Sequence, residues 1–450
     1  MDLTLNGTPV SVTTRPGQSL LELLREELGV TSVKDGCAPE GSCGACTVLV
    51  DGRAVVSCAQ KADRAEGRAV VTQEGLDPAE RERWGAGFVV AGASQCGFCS
   101  PGIVMKAEGL LAKTPNPTRD EIAKALAGNL CRCTGYVKIL DAVELVAASR
   151  EGTPMPEPDR SGRVGSRTAR YEGLELALGD KPYINDLTAP GMLHGALRFA
   201  DHPRATVARI DAERARAHPG VVSVLLAGDV PGERVQGLLT RDWPQIVAEG
   251  ETTRYVGDVL AVVVAETRHA AREAADLLDV DYEELEPVTD PSAAMQENAP
   301  AIHERGNVLS TSVVRRGDVD AALEGSAHVL TETFETQFIE HAFLEPESAF
   351  AVPEPDGSLH VSSQGQGVWE DRWQIASFLG WPEDRVRVTQ VSNGGAFGAK
   401  EDLNVQCHAA LGAVATGRPV LLTLSRAESL RFHPKRHPLT MTYMVGCDAD

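Results

Sequence analysis

Eight of the ten cysteines lie between residues 37 and 133, and their spacing separates them into two groups of four. The first group comprises Cys37, Cys43, Cys46 and Cys58. The second group comprises Cys96, Cys99, Cys131 and Cys133. Four thiolates complete the ligand set of one iron–sulfur cluster, and the C-x5-C-x2-C run of the first group is close to the plant-type 2Fe–2S spacing. The sequence therefore predicts two 2Fe–2S clusters in one small unit.

Structural zinc and disulfides are the alternatives for these cysteines. Structural zinc sites commonly pair two C-x2-C knuckles, whereas the second group contains a C-x-C step at Cys131 and Cys133. Disulfide scaffolds are typical of secreted chains, and MDLTLNGTPV at the start has no secretion signal. The clustering therefore favours metal ligands. The two isolated cysteines, Cys407 and Cys447, are expected to be buried and inert.

The elements around the cysteines can be predicted from turn and capping residues. Asn6-Gly7 and Asp51-Gly52 each predict a tight β-hairpin, and the second hairpin would bring Cys58 back toward the preceding cysteines. Ser19 is expected to cap a helix with a leucine face. Between the second-group cysteine pairs, one helix should begin at Pro101 and another after Thr118, which forms a capping box with Glu121.

Three motifs together resemble the iron–sulfur module of the xanthine dehydrogenase and aldehyde oxidase family of molybdenum hydroxylases. They are GCAPEGSCGACTVLVDGRAVVSC at 36–58, QCGFCSPG at 95–102 and NLCRCTGY at 129–136. Their order and spacing are specific. The resemblance implies a multidomain α+β protein that binds a molybdopterin-type cofactor, with the cytosine dinucleotide form as one candidate, in addition to its two clusters.

The resemblance also implies a domain order. It comprises a ferredoxin-like β-grasp at 1–76, a small four-helix bundle at 77–150, a linker at 151–166, an α/β hammerhead domain at 167–290 and the N-terminal part of a molybdopterin-binding domain at 302–450. The linker has three prolines and three glycines and no apolar period. A flavin domain, which eukaryotic xanthine dehydrogenases carry at this place, has no room here.

A second chemical region is the glycine-rich run NGGAFGAKED at 393–402. Such a run lets backbone amides approach a large ligand, although alone it is a weak signal. By resemblance, Gly395, Phe397 and Gly398 lie beside the pterin cofactor. The glutamine expected to contact an oxygen ligand of molybdenum is Gln364, with Gln366 as the alternative because of a two-residue insertion.

Glu401 is the residue on which the expected substrate class depends. It matches a glutamate that faces the heterocycle in purine-hydroxylating members of the family and that aldehyde-oxidising relatives commonly lack. The sequence thus predicts hydroxylation of a purine or another N-heterocycle, with water as the oxygen source. The alternatives are an aldehyde oxidoreductase of the same family and a non-catalytic iron–sulfur electron carrier. Glu401 could also be a solvated charge beside Lys400.

Size and charge limit the partners. The chain has 450 residues and a net charge of −21, which argues against a nucleic-acid surface. It lacks an apolar run of about 18 residues, so a soluble protein is expected. Because cluster assembly needs reduced thiols and there is no secretion signal, the expected location is the cytoplasm. The expected partners are a small-molecule substrate, a separate flavoprotein or other electron acceptor, and a polypeptide carrying the rest of the molybdenum subunit with its catalytic base. An oligomer is also expected.

Overall fold

The computed structural model describes residues 1–166 and 168–449. Arg167 and Asp450, which the sequence analysis made the first residue of the hammerhead domain and the last of the molybdopterin-binding part, lie outside the described residues. Within those ranges, no helix combines the length and apolar character needed to cross a membrane.

The N-terminal unit is a five-stranded sheet in the order β2-β1-β5-β3-β4. Its strands are β1 Asp2–Leu5, β2 Thr8–Ser11, β3 Thr47–Val50, β4 Arg53–Val56 and β5 Ala69–Val71. Both predicted hairpins are present, with β1 antiparallel to β2 and β3 antiparallel to β4. The left-handed turn residues Asn6, Gly7, Asp51 and Gly52 all have positive φ, which is the conformation that tight hairpin turns require.

The helix after Ser19 differs from a regular α-helix. Ser19 and Glu22 form a reciprocal capping box at its start, and α1 covers only Leu20–Glu22. The chain then continues as a π-helical turn over Leu23–Glu27, closed by a hydrogen bond of 3.1 Å from the Leu28 amide to the Leu23 carbonyl. The wider turn buries Leu23 and Leu24 together, which a uniform 3.6-residue period did not predict.

The cysteine-bearing helical unit contains four helices. They are α2 Pro78–Ala91, α3 Ser100–Leu111, α4 Arg119–Ala125 and α5 Val137–Arg150. The predicted capping box of Thr118 and Glu121 is present, and Pro101 lies in the first turn of α3. Trp84, Phe88, Ile103 and Val143 are fully buried among the helices. This confirms the expected α+β character with a small helical bundle.

Most of the remaining helices and strands form one larger unit, whereas the first of them, Gly173–Leu178, packs in the core of the helical unit. In chain order they are α6 Gly173–Leu178, β6 Leu193–Phe199, β7 Ala205–Asp211, α7 Glu213–Arg216, β8 Val221–Leu225, β9 Val235–Gln236, β10 Trp243–Pro244, β11 Val259–Ala265, α8 Arg268–Asp276, β12 Asp279–Glu284, α9 Pro291–Ala294, α10 Val319–Gly325, β13 His328–Glu335, β14 Ser348–Pro353, β15 Leu359–Ser363, α11 Val368–Leu379, β16 Val386–Gln390, α12 Gln406–Thr416, β17 Val420–Thr423, α13 Arg426–Phe432 and β18 Thr440–Cys447.

A seven-stranded sheet in the order β16-β15-β14-β17-β6-β11-β8 is the centre of this unit. Strand β17 pairs in parallel with β6 at Val420 opposite Leu193. The sheet therefore continues from the region expected to be the hammerhead domain into the region expected to bind molybdopterin. One continuous core, which includes Val262, Val361 and Leu411, packs along it.

Two strands stand apart from this core. β13 and β18 form an antiparallel ribbon whose residues are exposed along almost its whole length. Cys447 lies on this ribbon and is exposed, so the expectation that it would be buried was wrong, because nothing among the described residues covers that face. Cys407, in contrast, is fully buried on α12.

Candidate functional site

The first thiol group lies in the loop before β3 and in the turn after β4. The Cys43 amide donates to the Cys37 sulfur at 3.3 Å, and the Cys58 amide donates to the Cys46 sulfur at 3.4 Å. Gly44, at a φ of 70°, lets the loop turn back between these cysteines. The hairpin thus brings Cys58 to the three cysteines that precede it, as the spacing predicted.

The second thiol group is assembled from two loops of the helical unit. Cys96 and Cys99 precede α3, and Cys131 and Cys133 precede α5. The Cys131 amide donates to the Tyr136 hydroxyl at 3.0 Å, and the Cys131 sulfur lies 3.1 Å from the Thr134 hydroxyl. These contacts fix the short C-x-C segment against the N-terminus of α5.

Neighbouring thiols perturb one another strongly in both groups. Hydrogen bonds between thiols are the main cause of lowered pKa values at Cys37, Cys46, Cys96 and Cys131. The same hydrogen bonds raise the pKa values of Cys43, Cys58, Cys99 and Cys133. Two sets of four converging thiols fit the ligand requirement of two 2Fe–2S clusters.

Asn129 joins the two cysteine regions. Its side-chain amide donates to the carbonyls of Gly44 at 3.0 Å and Gly102 at 3.2 Å. The next residue, Leu130, donates its amide to the Cys43 carbonyl at 2.8 Å. Asn129 is buried, and its hydrogen bonds hold the loops of the two thiol groups against each other. Asn129 was not among the predicted site residues, although it begins the NLCRCTG motif.

The glycine-rich run follows β16 and forms an open turn. Gly395 and Gly398 have φ values of 101° and 95°, and Phe397, at a φ of 56°, is about half exposed. A left-handed non-glycine residue is uncommon, and such residues concentrate at ligand sites. The run therefore presents backbone amides and an aromatic ring at the surface, which fits the cradle that a pterin cofactor needs.

The two candidate glutamines have different surroundings. Gln364 is buried, donates to the Pro346 carbonyl at 2.9 Å and accepts from the Lys400 ammonium. Gln366 is exposed, and its side-chain oxygen accepts the Gly398 amide at 3.0 Å. In this structure Gln364 is thus saturated by protein groups, whereas Gln366 lies at the surface of the glycine-rich turn.

A buried pair of opposite charges lies beneath this turn. Glu345 and Lys400 are fully buried, with the Lys400 Nζ 4.0 Å from Glu345 Oε2 and 2.8 Å from the Glu345 carbonyl. Burial raises the pKa of Glu345 to about 7 and lowers the pKa of Lys400 to about 8. The Gly394 amide donates to Glu345 Oε2 at 2.6 Å, which anchors the start of the turn.

The loop that carries Gln364 has a second buried support. Asp371 on α11 accepts the Ser363 hydroxyl at 2.6 Å, and Ser363 accepts the Gly365 amide at 2.9 Å. Burial raises the pKa of Asp371 to about 7. Asp371 and Glu345 were not among the predicted site residues, because charged residues are expected at the surface and their burial depends on the fold.

Glu401 is exposed and lines a cavity of about 700 Å³. The same cavity is lined by Trp243, Tyr255 and His437 and by the carboxyl-bearing residue Asp258. Burial raises the pKa of Asp258 to about 6. Glu401 therefore faces a space large enough for a small aromatic molecule, in addition to solvent.

The histidines near the turn bond to carboxylates. His433 is buried between Glu347 and Glu340, with a ring nitrogen 2.8 Å from each. His341, Glu340 and His433 place potential ligand atoms within 4.8 Å of one another. Lys435 lies 3.0 Å from Glu340 and would repel a cation there. The arrangement fits a structural role for these histidines.

The molybdopterin-region loops contact both thiol groups. The Arg426 guanidinium donates to the Gly36 carbonyl at 2.9 Å and to the Leu344 carbonyl at 2.6 Å. Arg132, between Cys131 and Cys133, donates to the His341 carbonyl at 3.0 Å. The segment 341–345 is thereby held against the loops of both cysteine groups.

Four family models match consecutive parts of the chain. They are the 2Fe-2S iron-sulfur cluster binding domain at 3–76, the [2Fe-2S] binding domain at 72–144, the aldehyde oxidase and xanthine dehydrogenase a/b hammerhead domain at 178–286, and the molybdopterin cofactor-binding domain at 302–450. These matches confirm two 2Fe–2S domains and a molybdopterin-binding region.

Individual relatives agree with these matches. The aldehyde oxidoreductase of Megalodesulfovibrio gigas is 33% identical over 100% of this chain and 52% of its own length. The nicotinate dehydrogenase large molybdopterin subunit of Eubacterium barkeri is 35% identical over 64% of this chain and 67% of its own length. The solved aldehyde oxidoreductase from Desulfovibrio gigas superposes with a TM-score of 0.93 at 32% identity, covering 100% of this chain and 52% of that one.

The chain thus spans about half the length of the aldehyde oxidoreductase that it matches from end to end. The matched half contains both thiol groups, the seven-stranded sheet and the glycine-rich turn. The domain matches, the identity and the superposition agree. The chain belongs to the xanthine dehydrogenase and aldehyde oxidase family of molybdenum hydroxylases.

Proposed function

We propose that this chain is the electron-transfer and cofactor-binding part of a molybdenum hydroxylase. The observation that carries the proposal is the contact of segment 341–345 with the loops of both thiol groups and with the glycine-rich turn. A molybdopterin-type cofactor supplies two-electron oxidation of a substrate C–H group with oxygen from water. Two one-electron centres beside it suit the removal of those electrons.

Different residues of the chain have different roles in this function. The eight cysteines of the two thiol groups hold the 2Fe–2S clusters, and Asn129 fixes the distance between the two loops. Gly395, Phe397 and Gly398 border the cofactor, with Glu345 and Lys400 supporting them from below. Gln364 or Gln366 orients an oxygen ligand of the metal, and the exposed Gln366 is the more accessible of the two.

An aldehyde is the substrate class that we propose first. The support is the match to aldehyde oxidoreductase over the whole chain, in both sequence and structure. The purine preference expected from Glu401 has weaker support. Matches to xanthine dehydrogenases cover less of the chain, and the probable hypoxanthine oxidase that covers 99% of it is only 26% identical.

An N-heterocycle is the second candidate. Glu401 lines an aromatic cavity in which a carboxylate can accept a ring N–H, and the nicotinate dehydrogenase subunit is 35% identical. An electron carrier without molybdenum is the third, and it would leave the glycine-rich turn without a ligand.

Metal analysis and turnover test these functions together. The chain should be purified with the polypeptide that corresponds to the second half of its relatives, then assayed for iron, molybdenum and pterin. We expect molybdenum and pterin in addition to iron, and reduction of an artificial electron acceptor by aromatic aldehydes faster than by purines or nicotinate. Iron without molybdenum or pterin, in protein with both clusters assembled, would instead support the electron carrier.

The partners follow from the same proposal. A polypeptide corresponding to the second half of the relatives would complete the molybdenum site and supply the catalytic base. A separate flavoprotein or another acceptor would take the electrons. Reduced thiols are needed for cluster assembly, so we place the protein in the cytoplasm. The pterin form, including the cytosine dinucleotide, would be identified by mass spectrometry of the released cofactor.

A further inference from the structure

Glu345 is a buried carboxyl group outside every recognised ligand set. Its side chain is 2% exposed, and Oε2 accepts the Gly394 amide at 2.6 Å. Among the described residues, its other oxygen, Oε1, has no hydrogen-bond partner. A buried carboxylate with one unsatisfied oxygen is costly in free energy, which suggests a role beyond packing.

Glu345 lies close to the second thiol group. A Cβ built on Gly394 would meet the Glu345 side chain and would lie 2.9 Å from Phe98 Cδ2, so both side chains pack against this one glycine. Phe98 is between Cys96 and Cys99, and its ring contacts Tyr183 at a centroid distance of 5.1 Å. The Glu345 side chain and the Phe98 ring of the cysteine loop therefore lie beside the same glycine.

Several other ionisable groups lie around the Glu345 carboxyl group. The ionisable groups facing it are those of Lys400, Lys34, Asp186, Tyr183 and Cys96. Burial raises the pKa of the Tyr183 phenol well above its usual value, and the negative charges of Cys96 and Glu345 add to this rise. The Tyr183 hydroxyl in turn donates to the Cys96 carbonyl at 2.6 Å. The field of Glu345 thus extends into the cysteine loop.

We propose that the negative charge of Glu345 lowers the reduction potential of the second cluster. Its ligands are Cys96, Cys99, Cys131 and Cys133. This proposal rests on the iron–sulfur part of the proposed function and is independent of the substrate. One electron enters the cluster on reduction and no bond changes. A fixed negative charge in a dry interface disfavours that electron, and hydrogen bonding and nearby charge are known to set such potentials.

The test is a redox titration of the full chain, followed by electron paramagnetic resonance at pH 8.5. Glu345→Gln keeps the shape and the amide contact to Gly394 but removes the charge. We expect the second cluster to become easier to reduce by about tenfold in the equilibrium constant, which is about 59 mV for one electron. The reduction potential of the first cluster should shift less.

Two further variants separate charge from packing. Glu345→Asp retains the charge and should keep the second cluster near its wild-type potential. Glu347→Gln is the matched control, because Glu347 is equally buried on the same segment but faces His433 instead of Phe98. An unchanged potential in Glu345→Gln, or equal shifts in the Gln and Asp variants, would overturn the proposal.

If Glu345→Gln does not assemble its clusters, the pH dependence of the second cluster's reduction potential in the wild-type chain tests the proposal instead. Because the Glu345 pKa is about 7, the second cluster should become harder to reduce between pH 6 and pH 8.5 as the carboxyl group ionises. Loss of the Lys400 proton acts in the same direction. A flat pH profile would overturn the proposal. Wild-type protein lacking either cluster signal would instead contradict the proposed iron–sulfur ligands.

Discussion

Glu401 is the residue whose substitution separates the two substrate classes. Its carboxylate faces the cavity beside the glycine-rich turn and can accept a hydrogen bond from a ring N–H, which an aldehyde lacks. Loss of such a partner costs on the order of 1–3 kcal/mol, or about 5- to 150-fold in specificity. In the complete enzyme, Glu401→Val should lower kcat/KM for an N-heterocycle by this factor while sparing or raising that for an aromatic aldehyde.

The control for this substitution is Glu370→Val, which removes another glutamate near the loop that carries Gln364 but is not a cavity residue. A parallel fall in kcat/KM for both substrates in Glu401→Val would mean that Glu401 supports the cofactor turn. An unchanged kcat/KM for both would mean that it is a solvated charge.

Residues whose chemistry depends on local spacing are the ones that can be selected from the sequence. The cysteines are such residues, since each loop carries its ligands within a few positions. Glu345 and Lys400 are different, because they meet across 55 positions and only the folded sheet brings them together. Their burial, which makes them chemically unusual, also depends on the fold. Charged residues are expected at the surface, so the sequence offered no signal for them.

At the scale of elements, capping and turn chemistry were sufficient to predict both hairpins and the helix starts at Ser19 and Thr118. These features are encoded by neighbouring residues. The π-helical turn after Glu22 was not predictable, because it is selected by the packing of Leu23 and Leu24 into the core. The joined sheet was also missed, since the pairing of β17 with β6 connects distant parts of the chain.

The two cysteine-bearing elements predict two separable clusters. One set of thiols lies on a β-hairpin loop and the other at the ends of helices, and their burial differs. Because exposure and hydrogen bonding set the potential, reduced protein should give two distinct signals in electron paramagnetic resonance. Cys43→Ser should remove only the first and Cys99→Ser only the second.

Circular dichroism in the far ultraviolet provides the control for both serine variants, because each must retain its helices and strands. Cys407→Ser is a further control, as Cys407 is buried on α12 and belongs to neither thiol group. It should leave both signals unchanged. The loss of both signals from one folded variant would contradict separate sites.

At the scale of the whole molecule, the β13–β18 ribbon is the feature that the rest of the chain does not explain. Directly opposed residues place Leu330, Phe334, Tyr443 and Val445 on one face, together with the charged Glu332 opposite Tyr443. The four apolar or aromatic residues are about half exposed or more. A two-stranded ribbon is marginally stable alone, and an apolar face of this kind marks an interface. The opposite face has contacts near Gly446 with Ser326 and Leu323 at the end of α10.

We propose that the polypeptide corresponding to the second half of the relatives covers this apolar face, since this chain matches about half of their length. Leu330→Asp would place an unpaired charge in the centre of that interface, and Val445, its cross-strand neighbour, would lose its packing. We expect affinity for the co-expressed polypeptide to fall about tenfold or more and aldehyde turnover to fall with it. Both cluster signals should remain, because Leu330 is exposed and belongs to neither thiol group.

Thr331→Asp is the matched control, because it adds the same charge on the same strand but on the opposite face. It should co-purify with the polypeptide as the wild-type chain does, and size-exclusion chromatography with light scattering would measure both complexes. If Leu330→Asp and Thr331→Asp associate equally well, the apolar face is not the interface. If the wild-type chain alone turns over aldehydes at the full rate, the second polypeptide is not required, and the proposed role of the ribbon is wrong.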